Sequence, residues 1–271
     1  MSVAVRRVFT DLSVGQVHHA ACGDPAAPAV LLLHQSPRSW REYAAVLPRL
    51  GAHWHAIAMD TAGFGDSAAG EGPASIEHFA RVVLELIDAL QLPRVHVVGH
   101  HTGGVVAIEL AALVPARVAS LVLSSTPFTD AAFRKARAER PPIDEVAPST
   151  DGSHLMALWQ RRQGFYPPQR PDLLEAFVRD ALAVADPEAG HRAVAAYRME
   201  DRIGRLTQPV CLLRATADPF AAPHAQELMH HLPQATLVEI DGGMVPLPDQ
   251  RPEVFAAAVH GFLSGLSGLS A

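Results

Sequence analysis

The chain opens with two short stretches in which apolar and polar residues alternate, around Val3–Thr10 and Val14–Ala21. A period of two, broken by a turn, predicts an antiparallel hairpin at a sheet edge. The next apolar run is of another kind. "AVLLLH" (29–34) shows no alternation, which suits a strand buried on both faces of a parallel sheet. "HWHAIAMD" (53–60), "VHVVG" (95–99), "VASLVLSS" (118–125), "PVCLLRAT" (209–216) and "TLVEI" (236–240) repeat it. Helical stretches are expected between them, at 39–49, 76–90, 102–113, 222–232 and 251–264. The one at 76–90 is the clearest. Ser75 caps it, and Ile76, Phe79, Val83, Leu86, Ile87 and Leu90 share one face.

Strands alternating with helices imply a mostly parallel sheet with helices on both faces. Residues 128–203 interrupt that pattern. They read as helical, rich in Arg, Pro and Ala, with no clear strand. The expected organisation is a core domain made of 1–127 and 204–271, with 128–203 inserted as a helical cap. Such an insertion lies over the carboxyl ends of the strands, where open α/β sheets bind ligands.

Composition narrows the partners. Apolar residues make up 49% of the 271 positions and charged ones 18%, a globular profile with ample core material. The net charge of -6 is mild, and nucleic acid is not an expected partner, because phosphate binding needs a concentrated basic face. The cluster Arg134, Lys135, Arg137 and Arg140 also contains Glu139 and reads as a solvated helix face. Cys22 and Cys211 have no metal-ligand or CxxC spacing. The N-terminal "MSVAVRRVFTDLSVGQ" lacks the apolar stretch of a secretory signal, and no window is apolar enough to span a bilayer. A cytoplasmic protein without a membrane partner is expected, and the "GFLSGLSGLSA" tail reads as a fraying end.

Several motifs resemble, in order, those of the α/β-hydrolase-fold superfamily with a helical cap. "LLLHQSPRSW" resembles the oxyanion-hole segment His-Gly-x-Pro, "DTAGFGDS" (60–67) the loop after the fourth strand, and "GHHTGG" (99–104) the nucleophile elbow. "RATADPFAAP" (214–223) resembles the acid loop, and "EIDGGMVPLPDQRPEVFAAAV" (239–259) the segment that ordinarily carries the catalytic histidine. The resemblance covers nearly the whole chain and implies an eight-stranded sheet. It also implies a pattern from which this sequence departs. The family's Gly-x-Ser-x-Gly elbow here has His101 between Gly99 and Gly103. The acid position matches Asp218, and the histidine position matches Met244.

The two substitutions make joint sense. A serine at 101 would lack its base, because Met244 stands where the histidine should be. An imidazole at 101 reaches further than a hydroxyl, into the space a histidine at 244 would fill, and flexible Met244 can pack the remainder. Asp218 can then orient His101 by one ring nitrogen and leave the other for a water or a substrate proton, as a general base. The N–H groups of Gln35 and Thr102 are the expected oxyanion donors. His34, Arg38, Trp40, Ser125, Trp159 and Met244 are the candidate pocket residues. Arg38 suits a carboxylate or phenolate, and Trp40 an aromatic ring. In the cap, His154, Trp159, Arg161, Arg162, Phe165 and Tyr166 form the richest mixed cluster.

Blander roles compete at each position. Gln35 can satisfy local backbone groups, and Arg38 and Trp40 can simply begin a helix. Ser124 and Ser125 can cap a turn, and Asp60 and Asp66 can shape one. Ser36 has no evident base beside it. His100 reads as structural. His34, His100 and His101 lack a carboxylate or thiolate to complete a metal set, so neither metal nor other cofactor is expected. The reading is a cofactor-independent enzyme acting on a small, largely apolar carbonyl compound: an ester, a lactone or a C–C bond. A lyase or isomerase would use the same proton transfer, and an inactive hydrolase fold that binds a ligand is the alternative. Dimers are common among such folds, so a homodimer is a candidate assembly.

Overall fold

The computed structural model describes residues 4–220 and 223–267. Val3 of the expected hairpin, Ala222 of the expected helix and residues 268–271 of the tail lie outside them. Eight strands form one sheet: β1 (Arg6–Leu12), β2 (Gly15–Cys22), β3 (Ala29–Leu33), β4 (His55–Met59), β5 (Val95–His100), β6 (Val118–Ser124), β7 (Val210–Ala215) and β8 (Thr236–Ile240). Their spatial order is β1-β2-β4-β3-β5-β6-β7-β8. β2 pairs antiparallel with β1 and β4, and all the other pairs are parallel.

The helices are α1 (Leu47–Leu50), α2 (Ile76–Ala89), α3 (Thr102–Leu113), α4 (Ala131–Ala138), α5 (Ser153–Arg162), α6 (Pro171–Ala183), α7 (Ala189–Ala196), α8 (His224–His231), α9 (Leu247–Gln250) and α10 (Pro252–Ser267). Each central strand sends alternate residues to opposite faces. Leu31, Ile57, Val97 and Leu121 meet α2 and α3 in one buried cluster. Val30, Leu32, Ala58, Val98 and Val122 meet the α1 and α10 side in the other. Ser75 caps α2 by accepting the His78 N–H at 3.1 Å.

The expected helix over 39–49 is shorter than the pattern implied. A 3-10 turn at Trp40–Tyr43 is followed by α1. Pro48 is the reason. Inside a continuous helix it would remove an N–H and clash with the carbonyl of the preceding turn, whereas in the first turn of α1 it costs nothing.

Between β6 and β7 the chain is helical. α5 and α6 pack into a cluster of their own, with Leu158, Tyr166, Leu173, Leu174 and Phe177. α7 instead sends Ala193 and Val194 into the main core beside α2 and α3.

The junction of β5 with α3 is the tightest point. A Cβ on Gly99 would stand 2.3 Å from the Gly103 carbonyl oxygen, and one on Gly103 would stand 2.0 Å from the Leu33 carbonyl oxygen. Strand, turn, helix and the end of β3 therefore touch backbone to backbone. Gly103→Ala is expected to destabilise the protein by about 3 kcal/mol, at the upper end of overpacking effects. Gly164→Ala, at a site with nothing within 4 Å of the added carbon, should be close to neutral. Urea unfolding of the two variants checks the contrast.

Candidate active site

His101 stands between the last residue of β5 and the first of α3, with φ 46° and ψ −112°. An L-residue held there costs on the order of 1–3 kcal/mol and persists only where its surroundings over-determine it. They do so here. The His101 N–H donates to Ser124 O at 2.9 Å, and its carbonyl accepts from the N–H groups of Gly104 (2.9 Å) and Val105 (3.3 Å). The turn throws the side chain out of the strand end, beyond the sheet.

There it meets Asp218. His101 Nε2 lies 2.7 Å from Asp218 Oδ2, with side chains 14% and 0% exposed. The acid loop is tied down on three sides. Asp218 N–H donates to Ala215 O (3.2 Å), Ala217 N–H to Gly243 O (2.9 Å), and Phe220 N–H to Asp218 Oδ1 (2.9 Å). Burial alone would raise the Asp218 carboxyl. The charge and hydrogen bond of His101, with the Phe220 N–H, outweigh it and hold the group down at about 2. An ionised carboxylate only accepts, so of the two ring nitrogens Nε2 is the one placed to donate toward it. No described residue forms a hydrogen bond to Nδ1.

His100 is a structural neighbour. Its ring is fully buried, with Nε2 donating to Val245 O at 2.8 Å and Nδ1 accepting from Ser124 Oγ at 2.9 Å. Burial and the adjacent His101 depress its pKa to about 3, so it stays neutral. Through Val245 it anchors the loop that holds Met244. Met244 is half-buried and donates its N–H to Gln250 Oε1 at 2.7 Å.

The segment after β3 differs from expectation in detail. His34 is buried and engaged at both nitrogens, with Nδ1 2.7 Å from Gln35 O and Nε2 accepting the Thr61 N–H at 3.0 Å. The Gln35 N–H, expected to face an oxyanion, donates to Glu42 Oε2 at 3.0 Å. The Ser36 N–H faces the elbow instead and donates to Thr102 Oγ1 at 3.4 Å. The Thr102 N–H is the first of α3, among the donors that have no carbonyl a turn behind them.

Arg38 is 1% exposed and already paired with Asp180 (3.0 Å) and Asp249 (2.8 Å). A substrate anion would have to compete with two carboxylates there. The Trp40 ring stands with Arg7, Arg41 and His18, and the Trp40 backbone N–H donates to Asp60 Oδ1 at 2.6 Å. Asp60 Oδ2 also accepts the Asp66 N–H, which explains this carboxylate as a turn former. Ser125, buried with φ 46°, lines a small cavity with Thr126, Leu213 and Arg214. Trp159 packs against the α5–α6 cluster.

The sequence bears no mark of Glu42 as a fully buried carboxylate, since an acidic residue in an expected helix reads as solvated. It also left Phe220 unremarked. That ring is 41% exposed and lies 4.5 Å from the Phe165 ring of the inserted segment, two residues past Asp218. Among the described residues two groups bring three possible metal ligands together: His18, Asp60 and Asp66, and Asp144, Glu188 and His191. Both already carry arginines, since Arg7 bonds His18 and Asp66 and Arg162 pairs with Asp144. Neither group includes His34, His100 or His101.

Known proteins resemble the chain along most of its length. A family model described as "alpha/beta hydrolase fold" matches residues 28–248. A "putative carbamate hydrolase RutD" of Pseudomonas syringae pv. syringae (strain B728a) is 29% identical over 258 residues, 90% of this chain and 96% of the relative. The protein so named in Variovorax paradoxus (strain S110) reaches 42% over 115 residues, and that match spans 40% of this chain and 41% of the relative. The solved enol-lactonase of Burkholderia xenovorans LB400 superposes with a TM-score of 0.80 at 21% identity, covering 95% of this chain and all of the other. No helix of the described residues is long and apolar enough to cross a membrane.

Asp218 is held below its ordinary 3.8, so its ionised form contributes stability that is complete above about pH 4 and is lost as pH falls through about 2. Asp218→Asn should therefore melt below the wild type at pH 7. The gap should narrow between pH 4 and pH 2, as followed by thermal unfolding across pH.

Proposed function

Because the chain belongs to the α/β hydrolase fold family, we propose that it hydrolyses a small, largely apolar carbonyl compound, such as an ester or lactone, with the His101–Asp218 pair as general base in place of a serine nucleophile. The observation that carries this reading is the 2.7 Å contact between His101 Nε2 and Asp218 Oδ2. In this reading the carboxylate favours the tautomer with its proton on Nε2, which leaves Nδ1 as the basic atom.

The chemistry needs no acyl-enzyme and no cofactor. Nδ1 takes a proton from a water whose oxygen attacks the carbonyl carbon. Asp218 balances the positive charge that the ring gains. The carbonyl π electrons move onto oxygen, and that oxyanion accepts hydrogen bonds from the Thr102 N–H and from the Ser36 N–H, which gives up its long bond to Thr102 Oγ1 for it, helped by the positive end of α3. On collapse the leaving alkoxide takes the proton back from the imidazolium. Two of the similar proteins are named for hydrolysis of a carbamate and one as an enol-lactonase, which supports water attack at a carbonyl carbon.

Residues 128–203 act as the cap in this reading, and 1–127 with 204–271 as the core domain. The Phe165–Phe220 ring pair supports a mouth walled by both. Met244 fills the space a base would occupy, and the partner is a small molecule.

On a substrate found in an ester and lactone panel, His101→Ala and Asp218→Asn should each lower kcat/KM by about 10²–10⁴-fold. A fluorophosphonate serine probe should leave the protein unlabelled. Unchanged turnover in both variants, or a labelled serine, overturns the dyad. Ligand binding without turnover of any carbonyl compound would instead favour a binding protein.

A further inference from the structure

The amide that faces the elbow is aimed by groups that do not touch it. A peptide unit is planar and trans, so the Gln35 C=O and the Ser36 N–H lie in one rigid plane and point opposite ways. The Gln35 carbonyl is held by two donors, the Arg38 N–H at 2.9 Å and His34 Nδ1 at 2.7 Å. With that oxygen fixed, the Ser36 N–H is turned the other way, toward Thr102 Oγ1.

Glu42 holds the other side of the same residue. Its Oε2 accepts the Gln35 N–H at 3.0 Å, and its Oε1 accepts the Gln35 side-chain amide at 2.5 Å. That amide also reaches Val245 O at 3.4 Å, on the loop anchored by His100. Glu42 is fully buried, and a lone buried carboxylate is costly. The two Gln35 donors and the Arg38 guanidinium, 3.9 Å away, are what balance it. Arg38 carries the link onward to Asp180 in α6 and to Asp249 in α9. Ser39 Oγ adds a bond to Asp180 at 3.2 Å. A glycine of the inserted segment closes over the same place: a Cβ on Gly190 would lie 1.9 Å from Ser36 Oγ.

We propose that Glu42 is a positioning residue: through Gln35 it aims the Ser36 N–H at the reacting carbonyl oxygen, and through Arg38 it ties that aim to the seating of the helical insertion. The catalytic part of this rests on the hydrolase reading above, whereas the positioning part does not.

The test compares three variants. Glu42→Leu removes both acceptors. Glu42→Gln keeps one acceptor, and the Gln35 amide can turn over to accept from the new one. Glu42→Asp keeps the charge but withdraws it, and serves if the leucine variant does not fold. Amide exchange of residues 34–39 should quicken in the leucine and aspartate variants and stay slow in the glutamine variant, with 102–113 unchanged throughout. On a substrate of the wild type, kcat should fall about 10–100-fold in the leucine variant, short of the loss of a whole oxyanion donor, while KM stays within about threefold. The glutamine variant should restore most of it. Binding of an alkyl phosphonate anion, as a tetrahedral mimic, should weaken in parallel with kcat. Wild-type exchange at 34–39 in the leucine and aspartate variants overturns the proposal, and so does an equal fall in kcat in the leucine and glutamine variants. If the wild type hydrolyses nothing, the hydrolase reading fails by itself, and the exchange comparison still decides whether Glu42 positions the segment.

Discussion

The backbone contact between Gly103 and the end of β3 underlies the rest. It brings the first turn of α3 against the Leu33 carbonyl, which leaves room between β5 and α3 for a single residue in an unfavourable conformation. That residue is thrust out beyond the strand ends, and the N–H groups of the helix start stand beside it. Whatever chemistry occurs here depends on that placement. A more relaxed turn would lay the His101 ring along the sheet, out of reach of Asp218.

Around the turn, buried polar groups do the work that hydrophobic contacts cannot, because they fix directions. His100 joins β6 to the loop after β8. His34 joins the end of β3 to that of β4. Asp60 gathers the Trp40 and Asp66 N–H groups. Each ring or carboxylate is satisfied by named partners, as burial requires. The strand ends that converge on the site are thereby cross-linked. Arg38 extends this to the inserted segment, since one guanidinium links α6 there with α9 after β8. Such buried pairs contribute little net stability, and breaking one strands a charge. Their value here is geometric.

Much was legible beforehand because it is periodic or local. The apolar runs gave the strands, since a strand buried on both faces has no polar positions to spare. Ser75 marked the start of α2 by its own side-chain chemistry. Gly99 and Gly103 marked the elbow, because only glycine permits that approach. The resemblance of "RATADPFAAP" and "EIDGGMVPLPDQRPEVFAAAV" to the family's acid and histidine segments located Asp218 and Met244. The single helix expected over 39–49 fails at Pro48, which can stand only in the first turn of α1.

The sequence by itself determined the architecture, the location of the turn and the identity of the side chain on it. These follow from short-range pattern, from glycines that allow a close backbone approach and from the resemblance of "GHHTGG" to a known elbow. Only the tertiary structure decided which amide faces the elbow. Gln35 and Ser36 are adjacent and equally able to donate, and nothing in the order of residues says that a carboxylate seven positions on captures the first. Nor does it say that Arg38 is taken up by Asp180 and Asp249, from segments more than a hundred residues away. Hydrogen bonds are directional and short, so which groups remain available depends on packing between distant segments, and packing exists only in three dimensions.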